Sequence, residues 1–409
     1  MAQTLAKPAI AALGKQWQQA RTATAALQLV RASSFDDPAL LDDLDAIVAA
    51  GGQAPLFQSR VWLKGVADYL VNARGSDVRI CRLVDPTTGL ASAILPVVVT
   101  SEGFLKVARL LGDGVCDVLG AIVAPHLTPT TETAEAVLRL VAEHLDDVDM
   151  LRFTHLAPSI DGRANLLALA EGAFISADAT YPVDLDPASA TVVTARSAYK
   201  TYQKQWRKLE RRDGIAVNWL TEAGEIAAGF DRMVQMRRAR FARLSRADML
   251  REEASERFYR AMVLAPEGDR QAQIAELVVA GKPVGYIYRI DDGRRFSTII
   301  CAIDDTVGNA YAPALILFTK LFEKAVAEGY ASGDMGTGSM PYKLRFVPVE
   351  NQLLTVERGL SLKGWIATVG LALVRSTRAW CKRRPALVKL KSWLKRRTPK
   401  PARCAAEAE

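Results

Sequence analysis

The stretch GDMGTGSMPYKLRF, residues 333–346, carries side chains that could do acid–base chemistry on a flexible backbone. Asp334 could accept a proton or orient an attacking group, and Tyr342 could donate a proton. Glycine permits close approach of a backbone to a ligand, and lysine or arginine can hold negative charge. Four residues are therefore candidates for binding a substrate: Gly336, Gly338, Lys343 and Arg345. The alternative is an ordinary turn, in which Asp334 caps the backbone, Tyr342 packs and Lys343 is solvated.

An apolar helix is predicted immediately before this stretch. PALILFTKLFEKAVAEG has a proline where a first helical turn tolerates it, an apolar face, and a glycine at its end. It lies between a strand that ends near Ile303 and a strand at 330–335. Because a strand–helix–strand crossover usually makes the two strands parallel neighbours, the glycine-rich stretch should leave the carboxyl end of a buried strand. The helix N-terminus near Ala312, Pro313 and Ala314 presents free backbone N–H groups, which favour phosphate oxygens.

The rest of the chain reads as two halves with the same order of elements: helix, antiparallel strands, helix, strand. In the second half AELVVA, VGYIYRI and RRFSTIICAI are three strands joined by short turns. In the first half DVRICRLV and LASAILPVVV predict strands, VARLLGDGVCDVLGAIV predicts one or two more, and GRANLLALAEGA predicts a helix. The shared order indicates a duplicated domain or a chance likeness. The predicted division is an N-terminal extension at 1–50, a first domain at 51–187, a second at 188–358 and a basic tail at 359–409.

Composition excludes several classes of protein. The chain of 409 residues is 50% apolar and 24% charged, which fits globular domains with buried cores. Its five cysteines include no CxxC pair and its three histidines share no ligand spacing, so we expect neither a disulfide framework nor a metal site. We also expect no signal peptide and no transmembrane helix, because the window GWIATVGLALV is too short for a span of about 20 residues. These expectations favour a cytoplasmic location.

Positive charge is concentrated at the C-terminal end. Residues 359–409 carry 13 Lys or Arg and two Glu, whereas residues 1–358 carry 40 basic and 43 acidic side chains. Tryptophans and apolar residues alternate with the basic clusters, which is typical of a segment that lies on an anionic membrane. We therefore expect residues 360–400 to contact the inner face of a membrane. Nucleic-acid binding is less favoured, because the remainder shows no nucleic-acid module, and a tail that only aids solubility is the third alternative.

Several of these pieces together resemble the CelD-like branch of the GNAT acyltransferases. The residues that carry the resemblance surround one helix: Tyr311, Ala312, Pro313 and Leu315 at its start, Gly329 and Tyr330 at its end, and D-x-G-x-G-x-x-x-Y-K-x-R-F from Asp334 to Phe346. The antiparallel strands and the basic helix YQKQWRKLERRDG add to it, and LFQSRVWL and LLGDGVCDVL in the first half do so more loosely. The resemblance spans roughly residues 50–357.

The resemblance implies an α/β fold of α+β mixed sheets, with two tandem GNAT-like domains and a basic amphipathic helical C-terminal tail. In GNAT enzymes two parallel strands splay apart, the pantetheine arm of acyl-CoA lies in the gap, and the pyrophosphate sits on the following helix N-terminus. The implied acyl-CoA-binding residues here are Ile303, Tyr311, Ala312, Pro313, Ala314 and Leu315. The usual pyrophosphate loop, R/Q-x-x-G-x-G/A, is absent, and the chain has NAYAPAL in its place.

The implied function is transfer of an acyl group, with acetyl expected, from acyl-CoA to an amino sugar or sugar hydroxyl of a polysaccharide or envelope precursor. The expected roles are Asp334 as base or as a carboxylate that orients the acceptor, Tyr342 as proton donor, and Lys343 and Arg345 as partners of acceptor or phosphate charge. The basic helix at 196–212 could attract an anionic acceptor. Two other functions stay open: Fem-type aminoacyl transfer from charged tRNA, and a non-catalytic accessory role in cellulose or exopolysaccharide assembly.

Overall fold

The computed structural model describes most of the chain, in the ranges 28–32, 34–86, 89–185, 197–266, 270–307, 312–346 and 350–382. In these ranges the chain forms two large mixed sheets with helices packed on their faces. None of the helices in the described ranges is long and apolar enough to span a bilayer. The predicted linker at 187–197 lies outside the described residues except for its last position, Ser197.

The first half supplies ten strands and three helices in its described residues. In chain order they are β1 (Gln28–Ala32), α1 (Pro38–Ala49), α2 (Arg60–Val66), β2 (Asp77–Val84), β3 (Ala91–Glu102), β4 (Leu105–Leu110), β5 (Ile122–Val123), α3 (Thr131–Glu143), β6 (Met150–Leu156), β7 (Ser159–Ile160), β8 (Arg163–Ala164), β9 (Phe174–Thr180) and β10 (Pro182–Asp184). Helix α2 continues through a π-helical turn, Ala67–Val71, and a last turn, Asn72–Arg74.

The second half follows the same plan. In chain order its described elements are α4 (Ser197–Arg212), β11 (Ile215–Trp219), α5 (Ala223–Leu244), α6 (Glu253–Val263), β12 (Ala272–Val279), β13 (Lys282–Asp291), β14 (Arg295–Ile303), α7 (Pro313–Ala327), β15 (Ser332–Asp334), β16 (Asn351–Gly359) and α8 (Leu362–Lys382). A short 3-10 turn, Lys343–Arg345, lies between β15 and β16.

Both sheets are built in the same order. In the first sheet β1 to β4 are antiparallel neighbours, and β6 then pairs with β4 in parallel after α3. In the second sheet β11 to β14 are antiparallel neighbours, and β15 pairs with β14 in parallel after α7. The shared order of elements in the sequence is therefore a shared topology, with one strand–helix–strand crossover in each half.

The two sheets exchange strands near the ends of the two halves. Strand β10, from the first half, pairs with β15 in the second sheet, and β16, from the second half, enters the first sheet between β6 and β9. The sheets therefore do not divide at the predicted boundaries, residues 187 and 358. The first sheet also begins at Gln28 rather than after residue 50, because β1 pairs with β2 and Arg82 of β2 donates to Asp43 of α1 at 2.6 Å.

Helix α7 occupies the position that its sequence predicts. It begins at Pro313 and ends at Ala327, and Gly329 follows in a left-handed conformation with φ +79°. Its apolar residues pack in a core with Phe296 of β14 and with Tyr330. The helix thereby carries the chain from β14 to its parallel neighbour β15.

The prediction of a helix in GRANLLALAEGA is wrong. Its residues form β8 and a 3-10 turn, Leu166–Leu169, in the described structure. Asn165 is fully buried between these elements, and its side-chain amide donates to the Leu119 carbonyl oxygen at 3.1 Å. Tertiary packing of Asn165, Leu166 and Leu167 therefore overrides the helical pattern of the segment.

The two halves share one hydrophobic core. Trp62 of α2 is fully buried, and its ring packs edge-on against Phe258 of α6 with centroids 4.8 Å apart. The Trp62 indole N–H donates to the Cys116 sulfur at 3.2 Å, and the Tyr259 hydroxyl donates to the Val115 carbonyl oxygen at 3.1 Å. These contacts hold the loop that follows β4 against the helices of the second half.

Replacing Trp62 with Ala should lower the free energy of unfolding by about 3–5 kcal/mol, because the shared core loses its largest ring. Urea unfolding followed by circular dichroism measures this change. The matched control is Phe104→Ala, at a side chain that is 77% exposed, and its effect should stay within about 0.5 kcal/mol. Similar losses in the two variants would contradict a core shared by the halves.

Candidate active site

The parallel pairing of β14 with β15 stops after three residue pairs. Residues 295–297 of β14 lie opposite residues 332–334 of β15, whereas β14 continues to Ile303 with no β15 residue opposite it in the described chain. Beyond Asp334 the ladder ends, and Gly336, with a left-handed φ of +76°, packs closely on the Thr298 carbonyl oxygen as the chain turns. The carboxyl half of β14 therefore has an open edge between two diverging strands.

A cavity of about 320 Å³ lies where these strands diverge, and we call it the strand-gap pocket. Its walls come from β14, from the loop at 335–343, from the loop at 114–117 that follows β4, from His155 of β6, and from α5 with the turn after it. Because the loop at 114–117 belongs to the first half, both halves of the chain build the pocket.

Asp334 lies behind the strand-gap pocket and is not among the residues of its wall. Its Oδ1 accepts hydrogen bonds from the backbone N–H of Gly336 at 2.7 Å and of Tyr181 at 3.2 Å. Burial, with the nearby charge of Asp117 as a further cause, raises the pKa of Asp334 to about 6. The carboxyl group that the sequence predicts to be the base therefore closes the turn at which the two strands part.

A second carboxyl group, Asp117, does lie in the pocket wall. Its Oδ1 accepts a hydrogen bond from the Thr337 hydroxyl at 2.6 Å, and its Oδ2 accepts one from the Thr337 backbone N–H at 3.1 Å. Burial raises the pKa of Asp117 although these hydrogen bonds and the Lys343 charge oppose the shift. A buried carboxylate with a raised pKa is a suitable proton acceptor near neutral pH.

The sequence analysis does not single out Asp117, because the segment that contains this residue is predicted to form strands. VARLLGDGVCDVLGAIV contains β4 and β5, and residues 111–121 between them form the loop that reaches the pocket. The available signal was the run GDG followed by a second aspartate, since glycines beside carboxylates at a strand end are typical of a loop that approaches a ligand.

An ion pair anchors this loop in the first half. The Thr154 hydroxyl donates to Asp113 Oδ1 at 2.7 Å, and His155 Nδ1 lies 3.6 Å from the same oxygen. Burial disfavours the ionised form of Asp113, but its hydrogen bonds with His155 and Thr154 and the charge of Arg109 outweigh burial and lower its pKa to about 2. For His155, burial is likewise outweighed by Asp113, so its pKa is raised. The contacts of Asp113 therefore fix the start of the loop that carries Asp117.

Lys343 is buried in the pocket wall, with 4% of its surface exposed. Its ammonium group donates to the carbonyl oxygens of Gly336 and Thr337, both at 2.8 Å, and lies 5.0 Å from the centre of the Tyr181 ring. Burial lowers its pKa, and the two carboxyl groups of the site oppose that shift. Lys343 thus fixes the loop after β15 from within.

Tyr342 and Cys301 bring a hydroxyl and a thiol into the pocket wall. The Tyr342 ring packs on Phe318 of α7 with centroids 5.7 Å apart. Burial, followed by the neighbouring Cys301, raises the pKa of the Tyr342 hydroxyl well above its ordinary value of about 10. Burial also raises the pKa of the Cys301 thiol. Both groups therefore stay protonated near neutral pH, so Tyr342 can act as a donor and Cys301 is a poor nucleophile.

Helix α5 and the turn after it give the pocket a basic wall, through Arg237, Arg240 and Arg246. Arg237 donates to Asp248 at 2.6 Å. The Nε–H of Arg240 is buried and has no hydrogen-bond partner among the described residues. A negatively charged ligand group would satisfy this donor. The basic helix that the sequence singles out, α4, contributes no residue to the described wall.

Of the other three residues predicted to bind substrate, one lines the strand-gap pocket and two do not. Gly338 lines the pocket, whereas Gly336 lies behind the wall with the Asp334 carboxylate. Arg345 points to α4, where it donates to the Ser197 carbonyl oxygen at 3.0 Å and to the Thr201 hydroxyl at 2.5 Å. Arg345 therefore joins the 3-10 turn to a helix and does not reach the pocket.

The residues predicted to bind acyl-CoA lie at the end of β14 and the start of α7. Ile303 is the last residue of β14, and Ala312 precedes α7 with a left-handed φ of +46°. Pro313, Ala314 and Leu315 are buried in the first turn of α7, which has no side-chain cap. Tyr311 lies outside the described residues. In the described ranges no group of three or more His, Cys, Asp or Glu is placed to hold a metal ion.

Comparison with known families matches one part of the chain. Residues 196–344 match the family described as an acetyltransferase (GNAT) domain. This part of the chain is a GNAT domain. It contains β11 to β15 and the loop after β15, and so it includes most of the strand-gap pocket. The prediction of a GNAT-type acyltransferase is therefore confirmed, and the assignment to the CelD-like branch stays a prediction.

Solved structures show the same fold over both halves. FemX has a TM-score of 0.54 at 10% identity, over 77% of this chain and 95% of FemX. A conserved protein of unknown function from Bacteroides thetaiotaomicron VPI-5482 has a TM-score of 0.50 at 14% identity, over 77% of this chain and 96% of that protein. These similarities show the fold alone, and the predicted α/β fold with tandem GNAT-like domains is confirmed. No curated protein matches the chain.

Gly336→Ala should destabilise the GNAT domain more than Gly338→Ala. Both glycines have left-handed φ values, +76° and +90°, so both substitutions strain the backbone. Only at Gly336 would the new Cβ lie 2.1 Å from the Thr298 carbonyl oxygen, since nothing lies within 4 Å at Gly338. Urea unfolding should therefore separate the variants by about 2 kcal/mol. Equal stabilities would show that the turn is not tightly packed on β14.

Proposed function

We propose that the protein is an acyl-CoA-dependent N- or O-acyltransferase and that its reaction takes place in the strand-gap pocket. The observation that carries this proposal is the pairing of β14 with β15, which ends after three residue pairs and leaves an open strand edge. A thioester arm can use such an edge for backbone hydrogen bonds, as a further strand does. Pairing along the whole of β14 would have closed the gap.

The residues at the gap fit an acyl-CoA. The Thr298 hydroxyl of β14 is buried in the pocket wall and has no hydrogen-bond partner among the described residues. The unpaired edge after Thr298 and the Thr298 hydroxyl would hold the pantetheine arm, and the backbone N–H groups of Ala314 and Leu315 would meet phosphate oxygens. The bound acyl-CoA would supply an acyl group activated as a thioester.

The side chains of the pocket can manage the protons of acyl transfer. We propose that Asp117 takes the proton from the attacking N–H or O–H of the acceptor as the new bond to the carbonyl carbon forms. Tyr342, which stays protonated, would donate a hydrogen bond and then a proton to the leaving sulfur, and would regain a proton from solvent. Asp334 becomes a positioning residue, because its carboxylate accepts the hydrogen bonds that close the turn.

The acceptor is proposed to be an amino sugar or a sugar hydroxyl of a polysaccharide or envelope precursor. Support comes from the resemblance to the CelD-like branch, which Asp334 to Phe346 carry most clearly. The basic wall supports an acceptor with a negatively charged group, because Arg240 lines the pocket and its buried Nε–H has no hydrogen-bond partner among the described residues. Phosphate or carboxylate groups pair well with arginine.

A second candidate is Fem-type aminoacyl transfer, and the similarity to FemX over both halves supports it equally well. The two functions share the fold and the attack of an amine on an activated carbonyl group. They differ in the donor, since one uses a thioester and the other an aminoacyl ester of tRNA. A non-catalytic role is less favoured because the strand gap is open and carries titratable side chains.

Acyl-CoAs should raise the unfolding temperature of the full chain. A ligand at a hundred times its dissociation constant adds about 2.7 kcal/mol to the free energy of unfolding. A panel from acetyl-CoA to palmitoyl-CoA, with adenosine 3′,5′-bisphosphate as a control that lacks the pantetheine arm, identifies the acyl length. Absence of any shift, together with transfer of a labelled amino acid from charged tRNA, would favour the Fem-type function.

Asp117→Asn should lower kcat/KM by about a hundredfold or more, because the reaction loses its proton acceptor.

Asp334→Asn should keep most of the activity and move the acid limb of the pH profile to lower pH, because it removes a neighbouring negative charge. Wild-type activity should fall at low pH, with its acid limb above the ordinary Asp pKa of about 3.9, since burial raises the pKa of both carboxyl groups.

The controls separate catalysis from folding. Asp42→Asn, at an exposed position of α1, should leave the pH profile unchanged. The pKa of Asp334 is higher in the folded chain than the ordinary value, so ionised Asp334 costs stability above about pH 6. Asp334→Asn should therefore be at least as stable as wild type at pH 8. A larger loss of activity in Asp334→Asn than in Asp117→Asn would return the role of base to Asp334.

A further inference from the structure

Helix α8 turns an apolar face to solvent. Four of its residues follow one another at intervals of four, three and four positions and are between 39% and 64% exposed: Leu362, Ile366, Val369 and Leu373. A helix that covers a globular domain normally places its apolar residues inward and its polar residues outward. Exposed apolar residues are ordinary when they are scattered, but a continuous stripe indicates a binding surface.

The opposite face of α8 is firmly attached to the first sheet. Ser361, just before the helix, donates to Asp149 Oδ1 at 2.6 Å, and the Lys363 ammonium lies 3.0 Å from Asp149 Oδ2. Near the other end Arg375 pairs with Glu357 of β16 and stacks 3.8 Å from the centre of the Phe174 ring. The helix is therefore held in one orientation, and the exposed stripe is a fixed feature of the domain surface.

A second apolar element lies beside the start of this stripe. Phe104 occupies the turn between β3 and β4 and is 77% exposed. The Lys363 ammonium donates to the Phe104 carbonyl oxygen at 3.4 Å, which places the turn next to the first residues of α8. An exposed aromatic residue in a hairpin turn thus lies near the start of the apolar helix face. We call these five residues the α8–hairpin surface.

We infer that the α8–hairpin surface binds the surface of a lipid bilayer that contains anionic lipids. The stripe and the Phe104 ring would enter the headgroup region, where apolar side chains and aromatic rings are favoured. The chain that follows α8 supplies the complementary charge, since residues 383–403 contain nine Lys or Arg and no Asp or Glu. Basic segments next to an inserted helix are attracted by anionic headgroups.

The same features fit a lipid surface better than other partners. A nucleic acid would need the positive charge on the exposed face itself, but that face of α8 presents leucine, isoleucine and valine. A protein partner would account for the apolar stripe but not for the dense positive charge of residues 383–403. This inference concerns a binding surface and does not depend on acyl transfer in the strand-gap pocket.

Vesicle sedimentation with the full chain tests the inference. Wild-type protein should pellet with vesicles of equal parts phosphatidylcholine and phosphatidylglycerol. Its affinity for vesicles of phosphatidylcholine alone should be lower by about tenfold or more. The double variant Ile366→Ser with Leu373→Ser should lose about tenfold or more in affinity, and Phe104→Ser should lose a smaller factor. Val48→Ser, at an exposed valine of α1, is the matched control and should bind as wild type does.

Two results would overturn the inference. The first is equal binding to anionic vesicles by wild type and by the double variant, because the apolar stripe would then have no part in binding. The second is absence of vesicle binding in wild type, together with a change of oligomeric state in the double variant by light scattering, which would assign the stripe to contact between copies of the chain. Circular dichroism of each variant checks that the fold is kept.

Discussion

The hydrogen bonds of the Asp334 carboxylate determine the geometry of the whole site. By accepting the N–H groups of Gly336 and Tyr181, Asp334 closes the turn at the end of β15 and stops the parallel ladder after three pairs. Gly336 then passes so close to the Thr298 carbonyl oxygen that no side chain fits there. The strand gap, the pocket and the placement of the loop at 335–343 all follow from this turn.

The candidate site also depends on the first half of the chain. Asp117 reaches the pocket because the loop after β4 is held from both sides, by the Asp113 ion pair in its own half and by Trp62 and Tyr259 at the shared core. Strand exchange strengthens this arrangement, since neither sheet can be completed by one half alone. The second half contains the GNAT domain, but the first half supplies a buried carboxyl group, Asp117, to the wall of its pocket.

Local patterns in the sequence predict what local physics decides. The periodicity of α7, with Pro313 at its start and Gly329 after its end, gives that helix to within a residue or two, and the short turns give the antiparallel strands of both halves. The positions of Asp117, of β10 and β16, and of Arg345 depend on contacts between segments far apart in sequence, which no local pattern encodes. The resemblance indicated the right loop, but it could not show that Asp334 turns inward while a residue more than two hundred positions earlier faces the pocket.

The charge balance around Lys343 explains how the site accommodates two buried carboxyl groups, Asp117 and Asp334. The ammonium group is buried and satisfied by two carbonyl oxygens, and its charge offsets part of the repulsion between Asp117 and Asp334. Without it, two ionised carboxylates in a partly buried site would be strongly disfavoured. With it, both carboxyl groups lie near a positive charge that favours their ionised forms and opposes the effect of burial. Because Asp117 belongs to the first half and Asp334 and Lys343 to the second, this balance of charges depends on the packing of the two halves.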